Sequence, residues 1–411
     1  METRYFKCFK KYNLLGKISR YPEVNIRNRI MEKILDLLAQ QTGGKCYTSY
    51  QYCLDATENP TIKYEEIQDY KLEPKRHGET DNIKTIKNIS GKAKQVEGNS
   101  LFKYFLDGSR RIYKVDDIEI NKKVFPIMGG QIGVACCERK SPATFRQAVL
   151  EHNLVISLPN EADKDGRNSE QFFNSVTQKI NKLPKIEKFN LHFSKILSYG
   201  TKLEPNEKYE DKGAAKIQDE MIECEKKIVN ELTKKHLLNP DSYLLKDGSL
   251  QYQKTGVGDF RELSKFKSNY QCVIGVSKTF NPALDGNTKN ASVIAKLPPY
   301  HRTPAFYYYG SRSQHAFSIW YVRIRDFKSH RADSPFSGIV KVEKVLVTDD
   351  ELENGLNSDE IDLISANLIN ERNPVTYGSD ARWANHLYPV YLTERFVKSQ
   401  YVSDLHFLNL F

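Results

Sequence analysis

The sequence lacks any Cys-x-x-Cys pair, and its seven cysteines form no cluster with histidine at zinc spacing. Cys8, Cys46, Cys53, Cys136, Cys137, Cys224 and Cys272 are scattered and odd in number, so neither a zinc module nor a disulfide framework is expected. Reduced thiols in a cytoplasm are. A long apolar run is equally missing. Nothing approaches the ~20 residues that a membrane helix needs, and Met1 to Lys11 has no apolar core of the signal-peptide kind. Internal repeats and low-complexity tracts are absent too. A soluble, intracellular protein is the expectation.

What is present points to a sizeable fold. The 411 residues give room for two domains, or for one large domain with an appendage, and 39% are hydrophobic. The core should be rich in aromatic rings, given 24 Tyr and 20 Phe. Lys plus Arg number 62 against 52 Asp plus Glu, a net charge of +10. That excess favours a polyanionic partner, although it is spread along the chain.

One small pattern occurs twice. Tyr104-Phe105-Leu106 runs into Asp107-Gly108-Ser109, and Tyr243-Leu244-Leu245-Lys246 runs into Asp247-Gly248-Ser249-Leu250. Each reads as a short buried strand ending in a carboxylate and a glycine turn. Asp-Gly is a common hairpin signal, so two unrelated surface turns are one reading. The other is a pair of carboxylates brought from neighbouring strand ends to one spot, which suits a hard divalent cation and its oxygen ligands.

In chain order, a helix is expected from Asn25, a plausible N-cap, to Gln41, closed by Gly43-Gly44. Residues 1–75 read as a partly helical extension, and residues 76–99, rich in Lys, Asn, Ser and Gly, as a linker or exposed loop. Strands are then expected at Leu101 to Leu106, Arg111 to Ile120 and Val124 to Cys136, with Asp107-Gly108 as the tight connection between the first two. Leu154 to Leu158 is a further strand candidate. Helical spacing covers Ser169 to Lys182 and Lys212 to Lys235, the latter with Ile217, Met221, Cys224, Ile228 and Leu232 on one face. The second Asp-Gly-Ser follows, then a short helix near Phe260 to Lys267 and a strand from Cys272 to Val276. Strand, helix, strand is the pattern of a parallel α/β unit. Strands at Phe306 to Tyr309, Ala316 to Ile324 and Gly338 to Val347 precede helices at Asp359 to Asn370 and Arg382 to Phe396.

This order, an α/β mixed sheet flanked by helices with acids at strand ends, is that of the RNase H-like fold. Phosphodiester cleavage there uses two metal ions about 3.5–4 Å apart. The sequence resembles the NurA nucleases over about residues 100–411. The resemblance rests on Phe105-Leu106-Asp107-Gly108-Ser109, Leu245-Lys246-Asp247-Gly248-Ser249-Leu250, Ile274-Gly275-Val276-Ser277-Lys278-Thr279, and Tyr388-Pro389 leading into the last helix. It implies an RNase H-like DNA nuclease dependent on Mn2+ or Mg2+. The family forms dimers that dock on a hexameric HerA-type ATPase, in end processing or defence against invading DNA. Asp107 and Asp247 match its first and last core metal ligands.

The family also carries a glutamate on the helix before the second aspartate. Glu225 lies on the inward face with Met221 and Ile228, Glu220 stands near that face, and Glu223 points away. Glu225 is the choice and Glu220 the reserve, the bland reading being a solvated Glu beside Lys226 and Lys227. The C-terminal helix departs from the family. About seven residues after Tyr388-Pro389, where the family has His or Asp, stand Arg395 and Phe396, with Glu394 the nearest ligand and His386 just upstream. Lys278 follows a strand directly and either holds a scissile phosphate or is solvated. Arg302, Arg312, Arg323 and Arg325, set among tyrosines and apolar residues, read either as a DNA-facing surface or as solvated charges around core rings. Two other functions stay open: an Argonaute-like or other RNase H-like nuclease acting on RNA or guided strands, and a non-catalytic DNA-binding adaptor of an ATPase motor.

Overall fold

Asn121 and Lys122 both take left-handed backbone angles, φ 51° and 66°, and reverse the chain in a two-residue hairpin of the kind that suits strand twist. They join two 19-residue strands, β1 (Phe102–Ile120) and β2 (Lys123–Ser141). In this computed structural model residues 33–54, 72–74, 79, 83–164, 166, 169–252, 260–282, 288–310, 315–326, 334–374 and 382–411 are described. β3 (Thr144–Pro159) and β4 (Phe193–Tyr199) continue the sheet on one side. On the other lie β5 (Tyr243–Asp247), β6 (Val273–Ser277), β7 (Phe306–Gly310), β8 (Ala316–Arg323) and β9 (Ile339–Val345).

Hydrogen bonding orders the strands as Leu72–Pro74, β7, β8, β9, β6, β5, β1, β2, β3, β4. The pairs β1/β5, β5/β6 and β3/β4 are parallel, and the other ladders on this path are antiparallel. The protein is thus a mixed α/β structure with one large mixed sheet flanked by helices.

Period-2 alternation divides the apolar side chains between two layers. Tyr104, Leu106, Ile132 and Val134 pack under helix α1 (Tyr209–Lys234), whose buried stripe is Ile217, Met221, Cys224, Ile228 and Leu232. Phe102, Phe105, Leu245, Ile274 and Val342 pack on the opposite face under α2 (Ser358–Asn370) and α3 (Tyr388–Ser399), through Ile361, Ile364, Leu368 and Val390. Each buried aliphatic of these stripes contributes roughly 1.5–3 kcal/mol. Both faces of β5 and β6 are covered, and for that reason Tyr243–Leu245 and Val273–Val276 read as unbroken apolar runs.

Several expectations change. Asp107-Gly108 makes no turn but lies inside β1. The stretch read as a linker is structured in its described part. Ile89 and Ala93 are buried against Ala366, and Asn370 of α2 donates to the Ala93 carbonyl at 2.8 Å. The N-terminal helix is Ile34–Thr42, capped by Gly43 at φ 68°, and Asn25 lies outside the described residues. The helix expected from Arg382 starts at Tyr388, with Pro389 in its first turn, where a missing N–H costs nothing, and a short helix at Asp404–Leu408 follows it. Among the described residues no helix is long and apolar enough to cross a membrane.

Candidate active site

β5 ends at Asp247, where the chain turns through Gly248 at φ 86°. β1 continues. Leu106, opposite Lys246, is its last residue paired with β5, and the next pairing on that edge is Cys53 with Tyr113. Between these two points the described sheet has a notch. Asp107 and Asp247, each one step beyond the last pair, stand side by side at its mouth. A cavity of about 350 Å3 opens there, lined by Asp107, Glu225, Asp247, Ser277 and Lys278 among others.

Two helices bring the remaining acids. Glu225 of α1 is 2% exposed and lies over Gly108. Its reserve, Glu220, instead pairs with Lys195 at 2.6 Å, and Glu223 with Lys226 at 2.8 Å on the exposed side. Glu394 of α3 comes from the other face, pairing with Lys398 at 2.6 Å and standing 3.8 Å from His386 Nε2. Its charge reaches Asp107 and Lys278. The structure therefore brings Asp107, Glu225, Asp247, Lys278 and Glu394 together.

Lysines hold much of this charge. Lys278 Nζ lies 2.7 Å from Asp247 Oδ2 and 3.2 Å from His386 Nε2, the acceptor in that contact because an ammonium only donates. Lys246, itself 5% exposed, sits 3.1 Å from Glu225 Oε2 and donates to the Asp247 carbonyl at 2.8 Å. Lys246 is thus the ion-pair partner of Glu225 in the buried site.

Burial, with the nearby charges of Asp247 and Glu394, pushes the Asp107 carboxyl well above the usual carboxylate range. Burial raises Glu225 as well, and Lys246 offsets this only in part. Asp247 goes the other way. Burial would raise it, but the Lys278 ammonium holds it below its ordinary value. Burial acts against the Lys278 charge, yet Asp247, Glu394 and Asp107 together raise its pKa. Carboxylates with opposed shifts in one cleft mark a candidate functional site.

The donor set is all oxygen, the chemistry that hard divalent ions prefer. Asp107 is crowded by like charge that a dication would relieve. Among the described residues no three His, Cys, Asp or Glu side chains are already gathered in ligand geometry. The lysine partners occupy that position instead.

The arginines read as DNA contacts do other work. Arg302 is fully buried, clamped by Glu79 at 2.6 Å and by Asp362, and has no donor to offer a phosphate. Arg323 gives its guanidinium to the carbonyls of Leu297, Ser337, Ala295 and Pro335. Arg325 binds Asn373 and the carbonyls of Ile324, Ile369 and Glu371, and burial lowers its pKa to about 10. All three tie loops together. Arg312 lies outside the described residues.

Sequence reasoning missed Lys246 and Glu343. Glu343 of β9 is fully buried and accepts from Ser249 Oγ, Leu250 N and Gln251 Nε2, each at 2.8 Å. It pins the loop that follows Asp247. The only signal was the set of charges, Lys341, Glu343 and Lys344, in the otherwise apolar run from Ile339 to Leu346. No protein-family model matches this chain, and no curated protein matches it.

Proposed function

We propose that this protein is a divalent-metal-dependent nuclease that hydrolyses phosphodiester bonds of DNA. The observation that carries the reading is the convergence of Asp107, Asp247 and Glu225 on one notch, with the Asp107 carboxyl raised by burial and by the charges of Asp247 and of Glu394 on the other face. The strand order β3-β2-β1-β5-β6 supports it. Antiparallel neighbours on one side of β1, and two parallel strands on the other, are the arrangement of the RNase H-like fold. DNA as substrate, a dimeric state and a hexameric HerA-type ATPase as partner come from the NurA resemblance, by analogy.

Asp107, Asp247 and Glu394 would hold the Mg2+ or Mn2+ ions, with Glu225 as the further ligand. Bound there, two ions supply an activated water and stabilise the leaving oxygen. The chain's own groups prepare the site. Glu343 fixes the loop behind Asp247, so that the carboxylate is presented in one orientation. Lys278, next to Asp247, is the cation positioned to meet a phosphate lying in the notch. Lys246 offsets part of the burial that opposes a charge on Glu225.

A second reading is favoured by one observation. Asp247, Glu225 and Glu394 each already have a lysine partner, as in a non-catalytic DNA-binding adaptor of an ATPase motor. The test incubates linear single- and double-stranded DNA with the protein in Mn2+, Mg2+ or chelator, with and without the motor. Asp107→Asn and Asp247→Asn serve as variants. The nuclease reading expects metal-dependent degradation that both substitutions abolish while DNA binding persists. Binding without degradation in every condition would leave the adaptor.

A further inference from the structure

A second and larger cavity, of about 500 Å3, lies near the start of α3, lined by Lys103, Arg139, Lys140, Phe145, Arg372 and Tyr388 among others. That volume is within the range of small-molecule pockets, about 300–1,000 Å3. Its charge is lopsided. Glu371 is engaged by Arg139 at 2.5 Å and Lys140 by Glu138, which leaves Lys103 and Arg372 facing Glu97 alone among the acidic lining residues.

Flat surfaces accompany the cations. Arg139, 9% exposed in its side chain, lies between the Phe105 and Phe145 rings at 5.0 and 5.1 Å. It donates through Nε to the Phe102 carbonyl and through Nη2 to Glu371. Arg372 lies over Tyr388 at 4.3 Å, and Tyr388 stands edge-on to Phe145 with ring centres 6.3 Å apart. Aromatic faces beside cations are what a single-stranded nucleic acid requires: bases stack and phosphates find counter-charges.

The cavity and the carboxylate notch have no lining residue in common, but β1 joins them, carrying Lys103 of the one and Asp107 of the other. Phe105, under Arg139, is two residues before Asp107 on β1 and so on the same face. Tyr388 is six residues before Glu394 on α3, roughly 9 Å along a helix. A few nucleotides span that separation, at about 3.4 Å of strand per phosphate.

We infer that this cavity is a subsite for one nucleotide of a single-stranded nucleic acid whose neighbouring phosphates lie at the notch. Lys103 and Arg372 take the phosphate, and Tyr388 with Phe145 takes the base. The inference deepens the nuclease reading and relies on it only for the fate of the strand.

Binding is measured by anisotropy of a labelled twelve-residue oligothymidylate in chelator, so that cleavage plays no part. The proteins are wild type, Lys103→Glu/Arg372→Glu, Tyr388→Leu and the exposed hairpin control Lys123→Glu, with circular dichroism to establish folding. The charge-reversed double variant should bind at least about tenfold more weakly and show a shallower salt dependence, by about 0.7 per lost phosphate contact. Tyr388→Leu should lose about 5- to 100-fold, as removal of one stacking platform does. Lys123→Glu should bind as wild type.

Folded variants that match wild type in affinity and salt slope would overturn the assignment, and so would a wild type that binds no oligonucleotide. Thymidine monophosphate is the second probe. If it binds through these residues while the oligonucleotide ignores them, the cavity is a free-nucleotide site and the strand assignment fails. Cavity-dependent binding with no cleavage in Mn2+ under any condition would uphold the subsite and remove the nuclease reading instead.

Discussion

Gly108 lies directly beneath the Glu225 carboxylate: a Cβ there would come 2.5 Å from Glu225 Oε1 and 3.3 Å from Met221 Cγ. The glycine lets β1 and α1 approach closely enough for a helix-borne acid to reach the strand that carries Asp107. Gly108→Ala should therefore destabilise by about 1–3 kcal/mol, the usual cost of overpacking a filled site, and displace Glu225. Gly91, inside the Ser90–Gln95 helix with nothing within 4 Å of its would-be Cβ, is the matched control. Gly91→Ala should gain about 0.5–1 kcal/mol. Urea midpoints compare the two, and a neutral Gly108→Ala would show that α1 yields freely.

Lys246 and Glu225 form a buried pair, their side chains 6% and 3% exposed. Removing one partner of such a pair costs about 3–5 kcal/mol, because the other charge is left without compensation. Lys246→Met should lose that much, and Lys246→Met/Glu225→Gln should recover at least half. A double variant no more stable than the single one would mean that the lysine acts through its contact with the Asp247 carbonyl.

Much of the sheet was legible because its strands have period-2 or fully apolar patterns and α1 has a clean stripe. The inward position of Glu225 followed from that stripe. Asp107-Gly108 misled because one dipeptide answers two needs. At Gly248 the chain requires a left-handed turn, whereas at Gly108 an extended strand requires a missing side chain. The true hairpin, Asn121-Lys122, contains no glycine, yet the expected strand ends at Ile120 and Val124 already flanked it. Arg302 could not be told from a DNA contact, since its partner Glu79 is 223 residues away and only the fold joins them. Charges inside apolar strands, such as Lys246 and Glu343, are visible in the sequence. Their partners are not.

Glu343 is buried, but Lys341, the Leu250 amide and Ser249 hold its carboxyl below the ordinary glutamate value. A carboxylate depressed on folding contributes stability above the unfolded value, about 4.3. That contribution is lost as pH falls through the lower folded value. Glu343→Gln keeps the shape and removes the charge facing Lys341. It should cost about 3–5 kcal/mol at neutral pH, and the gap to wild type should narrow steadily in acid. Denaturant titrations across pH check this. A gap constant with pH would mean that hydrogen bonding to the loop, rather than charge, is what Glu343 supplies.

Lys278 and a divalent ion compete for the same oxygens in the proposed site. Its ammonium lies 2.7 Å from Asp247 Oδ2 and also feels Glu394 and Asp107. A unit charge at about 4 Å is worth about 4 kcal/mol at an effective dielectric of 20. Even a third of that, about 1.4 kcal/mol, is tenfold in affinity. Lys278→Met should thus melt below wild type in chelator, where Asp247 and Glu394 lose their counter-charge. It should gain more than wild type from added Mn2+, since an ion that binds the folded state raises its melting temperature in proportion to occupancy. Calorimetric titration should show Mn2+ binding at least about tenfold tighter in Lys278→Met, and none in Asp107→Asn/Asp247→Asn. Weaker Mn2+ binding in Lys278→Met would make the lysine an organiser of the carboxylates and not their competitor. The notch would then need Lys278 in place before any ion could enter.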